Sequence, residues 1–378
     1  MGLSPKERVL MALEHRQPDR VPLDLGGTFV TTINVSAYNC LRQALGLPGA
    51  GHLIRERTQS VYVDEDVCQA LGIDVIGLYE RPENPASERP GPEGTLVSEW
   101  GVKYRRRGDG HYAPAEHPLK EATLRDLDDY AWPDPLTPAR FEGLAEEAEA
   151  LRESAYAVVG NLGWSDIFGV AWFLRGFEQF LMDLAINKDM AHALLRRVTD
   201  FQKTRYSRFL ELAGDSVDIV LFADDVGGQE GLFISPAMYR EMVKPYQAEL
   251  LALIRSKTKA RIMFHSCGSI VPILDDFIEI GADIINPVQV SAKGMDTAIL
   301  KRRFGKRITF WGAIDTQRVL PNGTPEDVRA EVRRRIRDLG DGGGFVVAPV
   351  HVVQADVPPE NVLALCREAT AHHYNGRS

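Results

Sequence analysis

The chain has 378 residues, 44% of them apolar and 26% charged, with a formal net charge of −9. That composition supports an ordinary packed core, and the acidity argues against nucleic acid or an anionic membrane as the main partner. No apolar run approaches the ~18 residues of a membrane span. The four cysteines, Cys40, Cys68, Cys267 and Cys366, show no disulfide spacing, so a reducing cytoplasm is the expected setting.

The N-terminus lacks a signal-peptide core and reads as a helix start. Ser4 is the cap, Pro5 the first helical residue, and Glu7 closes a capping box. Arg20 to Gly27 reads as a short strand ending in glycines, and Gly72 to Leu78 as a second. The segment from Glu80 to about Glu153 breaks the rhythm. It is rich in proline, glycine and charge, with too few apolar residues for a core of its own. The alternation from Leu96 to Tyr104 suggests a hairpin. This stretch is expected as an insertion, either a flap on the surface or a cover over a ligand.

From Tyr156 the pattern becomes regular. Strands are expected at Tyr156–Asn161, Val217–Ala223, Ala260–Phe264, Ala282–Pro287, Arg307–Gly312 and Gly343–His351, with amphipathic helices between them. Eight strand candidates, most followed by a helix, imply a parallel sheet. Several are apolar throughout, as strands buried on both faces should be. The expected fold is α/β: a (β/α)8 TIM-type barrel, one domain over 1–378 with an insertion at about 80–153 after the second strand. An open doubly wound sheet would carry a glycine-rich phosphate loop, and neither G-x-G-x-x-G nor G-x-x-x-x-G-K-[ST] occurs.

In such a barrel the strands' C-terminal ends share one mouth, where active sites sit. This chain places Asp224 and Asp225, His265 and Cys267, Asn286 and Gln289, Asp315, and His351 with Gln354 at those ends. Strand ends enter polar loops in any case, and Asn286 and Asp315 are set aside on that ground. His265 and Cys267 stand two apart, so they face the same side of a strand and offer side chains that zinc takes readily. A buried cysteine beside a core histidine is the plainer account of such a pair alone. His351 reads equally well as a third ligand or as a hydrogen-bonded histidine of the core or a substrate site.

The chain resembles the uroporphyrinogen decarboxylase superfamily almost end to end. The resemblance rests on Arg16-Gln17-Pro18-Asp19-Arg20-Val21-Pro22, Ser235-Pro236, Lys244-Pro245 and His265-Ser266-Cys267-Gly268. It extends to Ala348-Pro349 and Asp356-Val357-Pro358-Pro359-Glu360-Asn361. It implies a (β/α) barrel and commonly a homodimer. The superfamily holds two activities. True decarboxylases work without metal and carry a Met-Arg-Gln-Ala-Gly-Arg stretch after the first strand to grip porphyrinogen carboxylates; here Leu25 to Thr32 contains no arginine. The other branch is the zinc-dependent, corrinoid-linked methyltransferases, whose motif is His-x-Cys with a later Cys on the last strand. His265 and Cys267 match it, and His351 stands where the later Cys is expected.

The resemblance therefore implies zinc on His265, Cys267 and His351, and a corrinoid carried by a partner protein. No Asp-x-His-x-x-Gly cobalamin loop occurs in this chain. One thiolate with two imidazoles leaves the ion positively charged and suited to polarising oxygen or nitrogen. The expected reaction is transfer of a methyl group from a small methylated substrate to the corrinoid, or the reverse. Asp224 and Asp225 are the candidate catalytic carboxylates, and Gln289 and Gln354 the candidate substrate-binding amides. A metal-free tetrapyrrole decarboxylase and a non-catalytic tetrapyrrole or corrinoid carrier are the alternatives.

Overall fold

Seven parallel strands follow one another in chain order around a curled sheet. They are β1 (Val75–Tyr79), β2 (Ala157–Asn161), β3 (Ile219–Ala223), β4 (Arg261–His265), β5 (Ile284–Val288), β6 (Thr309–Ile314) and β7 (Phe345–Pro349). The computed structural model describes residues 2–82, 90–91, 94–107, 112–163 and 166–374. Helices return the chain between strands, making this an α/β fold of the TIM-barrel type. Strands β2, β3, β5, β6 and β7 are buried at every residue, as expected when side chains pack on both faces.

Alternate residues divide the sheet's two faces. Ala157 and Val159, Ile219 and Leu221, Val346 and Ala348 join Met263, Ile284 and Trp311 in an inner cluster. Their neighbours Val158, Val220, Phe222, Ile262, Phe264 and Val347 pack outward, in the larger core that includes the helices. Helix α1 (Pro5–Leu13) begins with the expected Ser4–Glu7 capping box and adds Val9 and Leu13 to the inner cluster.

The sequence predicts a strand at Arg20–Gly27, and the structure differs there. That segment makes isolated bridges in place of a ladder: Leu23 to Val347, parallel, and Arg20 to His373, antiparallel. It nevertheless fills the gap between the sheet's two edges. Asp24 N donates to Val347 O at 2.9 Å, Val347 N to Pro22 O at 2.9 Å, and Asp74 N to Leu23 O at 2.9 Å. The physical reasons for the irregularity are local. Pro22 has no amide to donate, and Leu23 N goes to the Asp74 carboxylate at 2.8 Å instead of a carbonyl. The same carboxylate takes Arg8 at 2.6 Å and Arg20 at 2.7 Å.

Between β1 and β2 lies a separate three-stranded antiparallel sheet of Thr95–Val97, Lys103–Arg106 and Tyr112–Glu116. The expected hairpin forms, with Leu96 opposite Tyr104. Leu96, Trp100, Val102 and Tyr104 are buried in the same core as the barrel's outer layer, so the segment leans on the barrel for its apolar contacts. Residues 83–89, 92–93 and 108–111 of the expected insertion lie outside the described residues. Among the described residues, no helix is long and apolar enough to cross a membrane.

Candidate metal centre

Strand β4 ends on His265, which is 3% exposed, and the chain then turns sharply. Gly268 makes the turn with φ +90°, and a Cβ on it would lie 2.5 Å from the Gly227 carbonyl carbon. Only glycine combines that conformation with so close an approach. The turn is tied down by its neighbours. Cys267 N donates to Asp225 Oδ1 at 2.6 Å, and Gly268 N to Gln289 Oε1 at 2.6 Å. Val226 N donates to Ser266 Oγ at 3.1 Å.

This turn brings Cys267 back toward His265, with Sγ 3.6 Å from Nε2. His351, two residues beyond β7, arrives from across the mouth with its ring centroid 6.2 Å from that of His265. One ligand atom from each of the three residues lies within 4.8 Å of the others. Two ligands of a tetrahedral zinc, at Zn–S 2.3 Å and Zn–N 2.0 Å, stand about 3.5 Å apart. The His265–Cys267 pair already has that spacing, and His351 is near enough to complete it by a side-chain adjustment. The chemistry of the donor set fits zinc as well.

Asn286 supplies the orientation. Its Oδ1 lies 2.5 Å from His265 Nδ1. A carboxamide oxygen can only accept, so Nδ1 carries the proton and Nε2 keeps its lone pair toward Cys267. Burial, and after it the Asp225 carboxylate, hold the Cys267 thiol well above the ordinary thiol range.

The other expected site residues separate into distinct places. Asp224 is buried and holds backbone. Its oxygens accept from Phe168 N at 2.9 Å, Gly169 N at 2.8 Å and Gln247 Nε2 at 2.8 Å. Burial raises its carboxyl to about 6 against the pull of those donors. Asp225 is the one beside the trio, half-exposed, with Oδ1 3.8 Å from His265 Nε2. Gln289 braces the Gly268 turn. Gln354 lines the neighbouring cavity and donates to Val352 O at 3.1 Å. Asp315 caps a turn, accepting from Gln317 N at 2.7 Å and Arg318 N at 3.1 Å.

Beside His351 lies a cavity of about 220 Å³. Its walls come from the loop after β1, the end of β2, the 53–61 hairpin and the three-stranded sheet. A buried ion-pair network stands on one side. Glu80 accepts from Arg205 Nε at 2.9 and 3.0 Å, and lies 3.6 Å from Arg140, which pairs with Glu99.

The family model described as uroporphyrinogen decarboxylase (URO-D) matches residues 101–372. This chain belongs to the URO-D family. Among curated URO-D relatives, the uroporphyrinogen decarboxylase of Neisseria meningitidis serogroup C is 28% identical over 181 residues, covering 46% of this chain and 47% of that protein. The chain thus spans about half the length of the curated relatives that match it first. A methylated-thiol–coenzyme M methyltransferase of Methanosarcina mazei is 24% identical over 269 residues, covering 69% of this chain and 68% of that one. A solved methyltransferase structure from Methanosarcina mazei superposes with a TM-score of 0.65 at 19% identity, covering 98% of this chain and 99% of that one. At that identity the likeness establishes the shared fold.

Several residues of this URO-D site escape sequence reasoning. Asn286 was set aside as a loop-entry residue, and only its pairing opposite His265 on β5 reveals its role. Asn161 ends β2 at the same mouth, a position that could have flagged it. Glu80, Arg140 and Arg205 are far apart in the chain and carry no motif.

Proposed function

We propose that this URO-D family member is a zinc-dependent methyltransferase. It moves a methyl group between a small methylated substrate and a corrinoid carried by a separate protein. The observation that carries the reading is the convergence of His265, Cys267 and His351 to within 4.8 Å, with His265 oriented by Asn286. The similarity to a methylated-thiol methyltransferase supports it. Zinc held by one thiolate and two imidazoles supplies positive charge to the heteroatom that gives up its methyl group.

The chain's own residues do the rest. Asn286 holds the His265 proton on Nδ1. Asp225 and Gln289 fix the turn that presents Cys267. Asp225 stands half-exposed at the edge of the trio, 3.8 Å from His265 Nε2, where its free oxygen can accept a hydrogen bond from a bound substrate. The adjoining cavity holds the substrate away from bulk water. Asp224 serves as an anchor for this arrangement and not as a proton carrier. Nothing in this reading needs the chain to hold the corrinoid.

Metal analysis of the purified protein tests the proposal. One zinc per chain, lost in His265→Ala, Cys267→Ser and His351→Ala, is the expected result. Metal-free protein with full methyl-transfer activity would defeat it. Uroporphyrinogen decarboxylation is the second reading, favoured by the names of several relatives. Against it stand the arginine-free stretch Leu25–Thr32 and a cavity of about 220 Å³, small for a four-ring substrate. It predicts uroporphyrinogen turnover indifferent to chelators.

A further inference from the structure

Asn161 ends β2 at the barrel mouth and lines the cavity beside the candidate metal centre. It is 1% exposed, and three neighbours fix its position. Its amide nitrogen donates to Gly27 O of the first stave at 3.0 Å and to Val159 O at 2.9 Å. Its backbone carbonyl accepts from Glu80 N at 2.9 Å. Both amide protons are therefore in use. Flipping the amide would set its oxygen against two carbonyl oxygens, so the atom left over is Oδ1. That oxygen is buried and has no hydrogen-bond partner among the described residues.

Buried polar atoms are seldom left unpaired, and this one has no conformational escape. A carboxamide oxygen only accepts, so what satisfies it is an O–H or an N–H. Two further buried atoms on the same cavity wall lack partners, Ser98 Oγ and Tyr112 Oη, both contributed by the three-stranded sheet and its first turn. A hydroxyl donates or accepts by rotating, so these two adapt to a ligand, whereas Asn161 dictates what it meets. Phe29, Tyr79, Leu96, Trp100 and Val102 add apolar wall, and the Tyr79 hydroxyl is already given to Gly26 O at 2.7 Å. A volume of about 220 Å³ falls below the 300–1,000 Å³ common for ligand pockets and leaves room for about one ring.

We propose that Asn161 selects the ligand of this cavity, a ring-sized molecule that presents an O–H or N–H to Oδ1. The inference rests on the methyl-transfer reading only in taking that ligand as the methylated substrate, with its methylated heteroatom beside His351, which lines the same cavity. The donor is then a second group on the substrate, apart from the heteroatom that carries the methyl. A molecule of the same size without a donor leaves Oδ1 buried and unpaired, and the site rejects it for that reason.

Calorimetric titration of the full chain as purified with phenol, fluorobenzene and benzonitrile tests this. All three probes are neutral, so the charge of the wall stays out of the comparison. Phenol offers a donor and binds about tenfold tighter than fluorobenzene, which has the same size and none. Benzonitrile offers only an acceptor and binds no tighter than fluorobenzene. Asn161→Leu removes the preference for phenol; the benzonitrile comparison decides the matter on the unaltered chain if that variant fails to fold. Zinc content is measured on the same sample. A preference for phenol in zinc-free protein defeats the methyl-transfer reading and leaves this one standing, and zinc-loaded protein without the preference does the reverse. Equal affinity for phenol and either other probe, a preference that survives Asn161→Leu, or no heat from any of the three overturns the inference.

Discussion

Replacing Asn286 with alanine removes the acceptor that sits 2.5 Å from His265 Nδ1. The imidazole is then free to rotate and to carry its proton on Nε2, the nitrogen that faces Cys267. Outer partners of metal-binding histidines are worth about 10–100-fold in affinity, which is ~1.4–2.7 kcal/mol. A structural cost of similar size accompanies that loss and is measured apart from it. The other Asn286 contact, Nδ2 to Trp311 O, is 3.4 Å long and weak by geometry, so the structural cost is chiefly one unpaired buried group, ~1–3 kcal/mol. Competition against a chromophoric zinc chelator measures the affinity, and urea unfolding of the metal-free variant measures the structural part. Asn286→Asp keeps the acceptor and is expected to bind zinc at least as tightly as the parent. An alanine variant that holds zinc with parental affinity would refute the orienting role and weaken the assignment of His265 as a ligand.

Glu80→Gln leaves the buried Arg205 without its counter-charge and should cost about 3–5 kcal/mol in urea unfolding; adding Arg205→Met should recover most of it, and an unmoved midpoint contradicts the network. Burial raises the Asp166 carboxyl from 3.8 to about 7, so the folded state holds this proton more tightly than the unfolded state. The stabilisation is therefore complete below pH 4 and lost as pH rises toward 7, up to ~4 kcal/mol relative to Asp166→Asn; parallel stability profiles for the two proteins would contradict it. Gly268→Ala forces a Cβ against the Gly227 backbone at φ +90°, a strain of about 1–3 kcal/mol. It should lower the zinc bound per chain by displacing Cys267, and unchanged zinc content counts against the turn's role.

Much of the fold is legible in the chain because buried parallel strands must be apolar along their whole length, as in Ile219–Ala223 and Phe345–Pro349. The first stave is the exception. Its apolar run looks like a strand, yet Pro22 and the Asp74 carboxylate replace ladder bonds with other partners, and no local pattern announces a carboxylate 51 residues away. The trio of His265, Cys267 and His351 follows from spacing, barrel geometry and the superfamily resemblance together. The division of labour between Asp224 and Asp225 does not. Adjacent residues at a strand end point in opposite directions, and which one turns toward the mouth depends on the helix start at Phe168, which takes Asp224. The cavity is invisible in the chain for a similar reason, since Glu80, Asn161 and Arg205 meet only after folding.

Asp74 lies at the floor of the barrel, yet its influence extends to the rim. One side chain holds Arg8 of the helix that plugs the base, Arg20, and the amide of Leu23, so it fastens the first stave to the start of β1. The seating of the first stave between β7 and β1 rests on that fastening together with the Asp24–Val347 and Val347–Pro22 backbone bonds. His351 follows β7, the edge strand that lies against this stave, whereas His265 ends β4 in the middle of the sheet. If zinc binds as proposed, loosening at the floor is expected to draw the two imidazoles apart and lower zinc affinity, although Asp74 touches neither of them.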